Sequence, residues 1–318
     1  MDLEALVAGA REGRPRDIAR LVSLVENGAP EVPALMRALA ESAGTSRVIG
    51  ITGSPGVGKS TTTSALISAY RAHGQRVGVL AVDPSSPFSG GALLGDRIRM
   101  QEHATDDGVF IRSMASRGHL GGLSATTPQA VRVLEHAGCQ TVLIETVGVG
   151  QSEVEVAGAA DTTLVLLAPG MGDGIQAAKA GILEVGDIFV VNKADRDGAD
   201  STVREIRAMV SLGVRSEGGW LPPVLKTVAS TGEGMAELVN AIDEHGAWLT
   251  ASGELAARRR RRARDEIEAI VLGSLRASIR RGTGAERLDA AADAVADGRS
   301  DAYTEAARLV DEVVADLR

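Results

Sequence analysis

The octapeptide Gly53-Ser54-Pro55-Gly56-Val57-Gly58-Lys59-Ser60 constrains this chain more than any other feature. It fits G-x-x-x-x-G-K-[ST] and stands between a β-branched run, Val48–Thr52, and a segment of helical composition, Thr61–Tyr70. Strand, glycine loop and helix together form the setting in which backbone N–H groups converge on a phosphate. The helix N-terminus adds its partial positive charge there. A chain carrying this unit is expected to be α/β, with the loop at the carboxyl edge of a sheet. Lys59 would then bridge the terminal phosphates and Ser60 would offer its hydroxyl to Mg²⁺, with Thr61 opening the helix behind them.

The rest of the chain keeps the same rhythm. Short apolar runs lie at Val77–Val82, Val109–Ile111, Thr141–Glu145, Thr162–Ala168, Ile188–Asn192 and Val224–Val228, and helical segments begin near Lys59, Arg97, Pro128, Gly174, Ser201 and Met235. Continuous β-branched strands separated by helices describe a mostly parallel sheet flanked by helices on both faces. Right-handed crossovers bring the strand C-termini to one edge. Residues 1–45 are expected as an N-terminal helical extension, with one helix ended by Asn27-Gly28 and Pro30 and a second over Val32–Ser42. Residues 46–248 would form the P-loop domain and 249–318 a C-terminal helical arm. The run Arg258 to Arg262 has Asp265, Glu266 and Glu268 at helical spacing. It reads as a solvated helix face rather than a phosphate patch.

Composition narrows the function classes. A formal net charge of −8 and an aromatic fraction of 2% argue against nucleic-acid binding and against a membrane surface as partner. The single cysteine, Cys139, excludes an intramolecular disulfide and reads as a buried small hydrophobe. With no apolar stretch long enough to span a bilayer, the expected location is cytoplasmic. Of 34 basic residues only four are lysines, Lys59, Lys179, Lys193 and Lys226. Arginine fills the generic positions, which points to the lysines as sites where a compact ammonium is needed.

Further motifs extend the chemistry. Asn192-Lys193-Ala194-Asp195 ends a later apolar run. The Asp195 carboxylate can accept from guanine N1–H and from the N2 amine, whereas adenine offers neither donor, so GTP or GDP is the expected ligand. Val228-Ala229-Ser230 follows the last strand, where the Ala229 N–H is expected to meet guanine O6. Glu145-Thr146-Val147-Gly148 follows the Thr141–Ile144 run. There Glu145 can serve the Mg²⁺ shell and the Gly148 N–H the γ-phosphate. Asp83 and Asp96 are further carboxylates within reach of the metal, or turn and capping residues. Val149 stands where Ras-type GTPases carry the glutamine that orients water, which predicts slow unaided hydrolysis.

Several segments resemble one family. Gly53–Thr61, Asp83-Pro84-Ser85-Ser86, Gly95-Asp96-Arg97-Ile98-Arg99-Met100 and Arg117-Gly118-His119-Leu120-Gly121-Gly122 are similar to the MeaB/ArgK/MMAA family. So are Glu145–Glu153, Pro169-Gly170-Met171-Gly172-Asp173 and Asn192–Asp195. These proteins are G-protein chaperones of methylmalonyl-CoA mutase. The resemblance implies a homodimeric GTPase that protects an adenosylcobalamin-dependent acyl-CoA mutase and gates its cofactor loading. It implies Mg²⁺-associated roles for Asp83, Asp96 and Glu145, and a C-terminal dimer arm. It also implies that Lys179, in a mobile family segment at Gly170–Lys179, stabilises transition-state charge once the mutase is bound. Val228 stands where the family more often has serine, leaving that segment only its backbone contact with the base.

Two other classes remain in view at this point. A small-molecule or protein kinase of the ArgK type would need a base near the γ-phosphate beyond the metal carboxylates, and none is evident. A metallochaperone GTPase would call for clustered ligands, whereas His73, His103, His119, His136 and His245 are scattered.

Overall fold

In a computed structural model the chain is described over residues 2–84, 100–116, 126–146, 152–170, 182–212, 218–280 and 283–316. Three helices open it: α1 (Leu3–Arg11), α2 (Pro15–Glu26) and α3 (Val32–Ala38). The single helix expected before Asn27 is divided at Gly13, which has φ +80°, and Pro15 occupies the first turn of α2. That placement suits a residue with no N–H to donate.

Seven strands follow: β1 (Arg47–Thr52), β2 (Val77–Pro84), β3 (Val109–Ser116), β4 (Thr141–Thr146), β5 (Thr162–Leu167), β6 (Ile188–Asn192) and β7 (Val224–Thr227). They form one sheet in the order β3-β2-β4-β1-β5-β6-β7, and every neighbouring pair is parallel. β4, β5 and β6 are buried along their whole length, as unalternating Val/Ile/Leu strands require. Edge strand β3 runs to Ser116, beyond its expected end at Ile111. Its polar second half is accommodated because Arg112 reaches α2, donating to Ser23 Oγ at 2.9 Å and to Glu26 at 3.1 Å.

Among the described residues six helices accompany the strands: α4 (Lys59–Ala72), α5 (Thr127–His136), α6 (Ser152–Ala159), α7 (Ile182–Val185), α8 (Ala199–Leu212) and α9 (Met235–Ser252). Successive strand residues point to opposite faces, so each strand feeds two cores. Val142 and Ile144 join one with α1, α2, α3 and α5, while Leu143 joins the other with α4 and α9. The N-terminal helices thus share a core with the sheet. A third cluster, centred on fully buried Phe189, seats α8 on β5–β7. Cys139 is buried as expected, and burial pushes its thiol up to about 12.

The chain ends in α10 (Glu254–Arg280), α11 (Thr283–Ala296) and α12 (Ala302–Asp316). It divides into two compact units, residues 1–260 and 261–318. In the second unit α11 and α12 pack together, burying Ala291, Ala294, Leu309 and Val313. Among the described residues no helix is long and apolar enough to cross a membrane.

Arg258 and Arg259 depart from the expected solvated face, whereas Arg260 and Arg261 are exposed as expected. Arg258 grips Asp187 with two bonds of 2.8 and 2.9 Å, and Arg259 donates to Asp161 at 3.0 Å. Both carboxylates are buried at the amino edge of the sheet, where an unpaired charge is costly, so the guanidinium groups dock the start of α10. Around Asp187, His245 Nε2 lies 3.3 Å from Oδ1, and the Trp220 indole donates to the main-chain oxygen at 2.7 Å. Burial opposes ionisation of Asp187, but His245 and Arg258 outweigh it and hold the carboxyl below its usual range. The unfolded chain therefore takes up this proton first as pH falls. The stabilisation is complete above about pH 5 and is lost as pH drops through the folded value. Arg258→Ala should lower unfolding free energy by about 2 kcal/mol, because it removes a charged two-bond donor and leaves the buried carboxylate to His245 and the Thr163 N–H. Denaturant titration at neutral pH checks this; a loss under about 0.5 kcal/mol would deny the latch.

Candidate nucleotide-binding site

The carboxyl edge of the sheet gathers the motif loops. Gly53 leaves β1 at φ +136°, where a Cβ would overlap the Leu166 carbonyl oxygen of β5. Gly58 enters α4 at φ +99°, and a Cβ there would strike the Asn192 amide. Both turns need glycine for conformation and for space. Between them Pro55 and Gly56 are exposed, Ser54 is half-buried and Val57 is buried.

Lys59 is buried at the first turn of α4, and its ammonium donates to the carbonyls of Gly53 at 2.6 Å and Ser54 at 3.1 Å. The cation is thereby held inside the loop it serves. One turn of the same helix presents two hydroxyls to one carboxylate. Ser60 Oγ donates to Glu145 Oε1 at 2.6 Å, and Thr63 Oγ1 donates to Oε2 at 2.9 Å. Glu145 is 3% exposed and lies beside Ile51 of β1 in the parallel register.

The Asn192–Asp195 motif is tied to the glycine loop by its own side chains. Asn192 Nδ2 donates to the Val57 carbonyl at 2.8 Å, and Lys193 Nζ donates to the Gly56 carbonyl at 2.6 Å. Lys193 has φ +57°, the only positive value at a non-glycine among the described residues. Such strain gathers at functional loops, and here it turns the lysine back over the phosphate loop. Asn192 Oδ1 accepts from Thr227 Oγ1 at 3.2 Å and from the Ala229 N–H at 3.1 Å. The Ala229 amide, expected to meet guanine O6, is therefore engaged by Asn192; an acceptor with two lone pairs takes both donors. Val228 pairs with Glu233 across a short bridge, leaving Ser230 exposed beside it. Asp195 is exposed two residues beyond Lys193, in a loop pinned by the Ala194 N–H to Thr227 O at 3.1 Å.

The other expected residues divide. Asp83 lies near the end of β2, level with Ala115 and one step past the Val82–Thr146 pair, so its backbone belongs to the same edge. Asp96, Gly148 and Lys179 lie outside the described residues. Thr63 was not singled out in the sequence, although its i,i+3 spacing from Ser60 puts both hydroxyls on one helix face.

Comparison with known proteins assigns the family. The model described as methylmalonyl-CoA mutase-associated GTPase MeaB matches residues 18–283. A Pyrococcus horikoshii relative is 48% identical over 273 residues, spanning 85% of this chain and 86% of its own length. The Escherichia coli GTPase ArgK is 38% identical over 277 residues, with 83% of each chain covered. A crystal structure of a LAO/AO transport system kinase superposes with a TM-score of 0.68 at 28% identity, covering 98% of this chain and 97% of that one. A glycine loop, its buried lysine and a guanine motif bonded to that loop agree with this assignment: the chain belongs to the MeaB family and is a GTPase that hydrolyses GTP.

Proposed function

We propose that the chain is a chaperone GTPase that protects an adenosylcobalamin-dependent acyl-CoA mutase and gates its cofactor loading. The observation that carries the nucleotide part is the coupling of the two motifs, since Asn192 and Lys193 bond directly to Val57 and Gly56. Occupancy of the phosphate loop is thereby linked to the loop that reads the base. The mutase as partner follows from the family's description.

The loop residues also fit Mg²⁺. The Ser60 hydroxyl donates a hydrogen bond to Glu145 and keeps oxygen lone pairs for a cation, beside two carboxylate oxygens. Ser60 would hold the ion, with Glu145 behind it and Asp83 at the same edge; Asp96 remains a further candidate. When bound, the metal offsets the charge on the β- and γ-phosphates. Lys59 would lie along the β–γ bridge, stabilising negative charge as water attacks phosphorus in line and the bond to the bridging oxygen breaks. Asp195 selects guanine through its carboxylate, and the Gly148 N–H would meet the γ-phosphate.

A homodimer is part of the proposal. Ile267, Ile270 and Val271 lie at i, i+3 and i+4 on α10, each at least half exposed. Such a stripe on a long helix suits burial against a second copy.

Partner dependence gives the test. GTP turnover is measured with and without candidate cobalamin mutases, for the native chain and for Lys179→Ala. The right mutase should raise turnover at least about tenfold, and the substitution should remove most of that rise, as loss of a positioned transition-state cation does. Equal stimulation of both proteins would take Lys179 out of the mechanism, and no stimulation by any mutase would count against the chaperone role.

A further inference from the structure

Beside the two motifs lies a cavity of 640 Å³ whose walls include Thr61 and Ser64 of α4, Glu102, and Ala229 and Ser230 of the base-facing segment. Its size suits a small-molecule moiety. Thr61 directly follows the phosphate loop, and Ala229 is bonded to the asparagine of the guanine motif. The cavity therefore adjoins both loops, running along α4 to the start of α9, on the side where the ribose of a nucleotide spanning them would lie.

The lining chemistry agrees. Glu102 is the only charged side chain on the cavity wall among the described residues, and the hydroxyls of Thr61, Ser64 and Ser230 accompany it. A carboxylate repels phosphate and accepts from neutral donors, and beside a sugar it can take both hydroxyls of a vicinal diol. Glu102 is held in position. Its Oε1 accepts from the Ser64 hydroxyl, and His103 Nε2 lies 2.8 Å from that hydroxyl and 3.7 Å from Oε1. The Glu102 side chain is still 66% exposed, so its second oxygen is open to a ligand. We infer that Glu102 is a specificity-determining residue that accepts hydrogen bonds from the ribose 2′- and 3′-hydroxyls of the bound guanine nucleotide. The inference rests on the nucleotide reading of this site and adds the sugar to it.

Competition binding of GDP and 2′,3′-dideoxy-GDP to the full chain, to Glu102→Ala and to Glu102→Gln provides the test. The native protein should bind the dideoxy nucleotide about tenfold more weakly, the size expected for hydrogen bonds to a charged acceptor near solvent. In Glu102→Ala the preference should shrink below about twofold, and in Glu102→Gln it should fall between, since an amide oxygen still accepts. An equal preference in the native and alanine proteins, or none in the native, overturns the ribose assignment while GDP binding upholds the nucleotide site. If the native protein binds no GDP, both readings fail together.

Discussion

Lys59→Ala should lower kcat/KM for GTP hydrolysis by about 10³-fold, the scale on which loss of one positioned charge donor acts in phosphoryl transfer. The ammonium is buried and fixed by the Gly53 and Ser54 carbonyls, so little reorganisation is needed when phosphate oxygens arrive. Arginine at this position should not restore the rate. Its planar fork is wider than the ammonium and cannot meet both carbonyls from inside a loop this tight. The chain itself uses arginine for 30 of its 34 basic residues yet keeps lysine here. Steady-state kinetics with a thermal melt of each variant separates chemistry from folding. A folded Lys59→Ala protein within about tenfold of native activity would remove the lysine from the mechanism.

Asp195→Asn should produce the second large change, this time in base preference. In the proposed site the native carboxylate would accept from two donors on guanine, and asparagine would turn one of those acceptors into an N–H₂ that opposes the N2 amine. Affinity for GDP should drop by about 10²- to 10³-fold, as when a site built around paired polar groups meets the wrong partner. Xanthine carries an oxygen where guanine has that amine, so the asparagine protein should bind XDP better than GDP. Asp195 is exposed and no described structural bond depends on it, so the fold should be unaffected. A variant that still prefers GDP would move base recognition to other residues.

How far the sequence could be read depends on the range of the forces involved. The strands were legible because burial on both faces demands unbroken Val/Ile/Leu runs. The phosphate loop was legible because its glycines, lysine and serine are contiguous. β3 ran longer than its apolar stretch because Arg112 finds Glu26 on α2, a pairing between residues distant in sequence. α6 was missed because two helical turns give too little periodicity to detect. The first two arginines of the run, Arg258 and Arg259, were misread for a similar reason. Their own neighbours suggest solvent, whereas Asp161 and Asp187, which define their role, come from two strand starts far away in sequence. In the site, Glu145 was expected from its strand end, but its bond to Thr63 needed helix and strand placed side by side. Glu102 carries no motif at all; only the cavity beside Thr61 and Ala229 marks it.

Isothermal calorimetry of the native chain with GDP and with ADP, both with Mg²⁺, tests the central claim most directly. A guanine-selective phosphate loop predicts saturable, one-to-one GDP binding at least about 10²-fold tighter than ADP. Equal affinities, or no heat from either nucleotide, would contradict it.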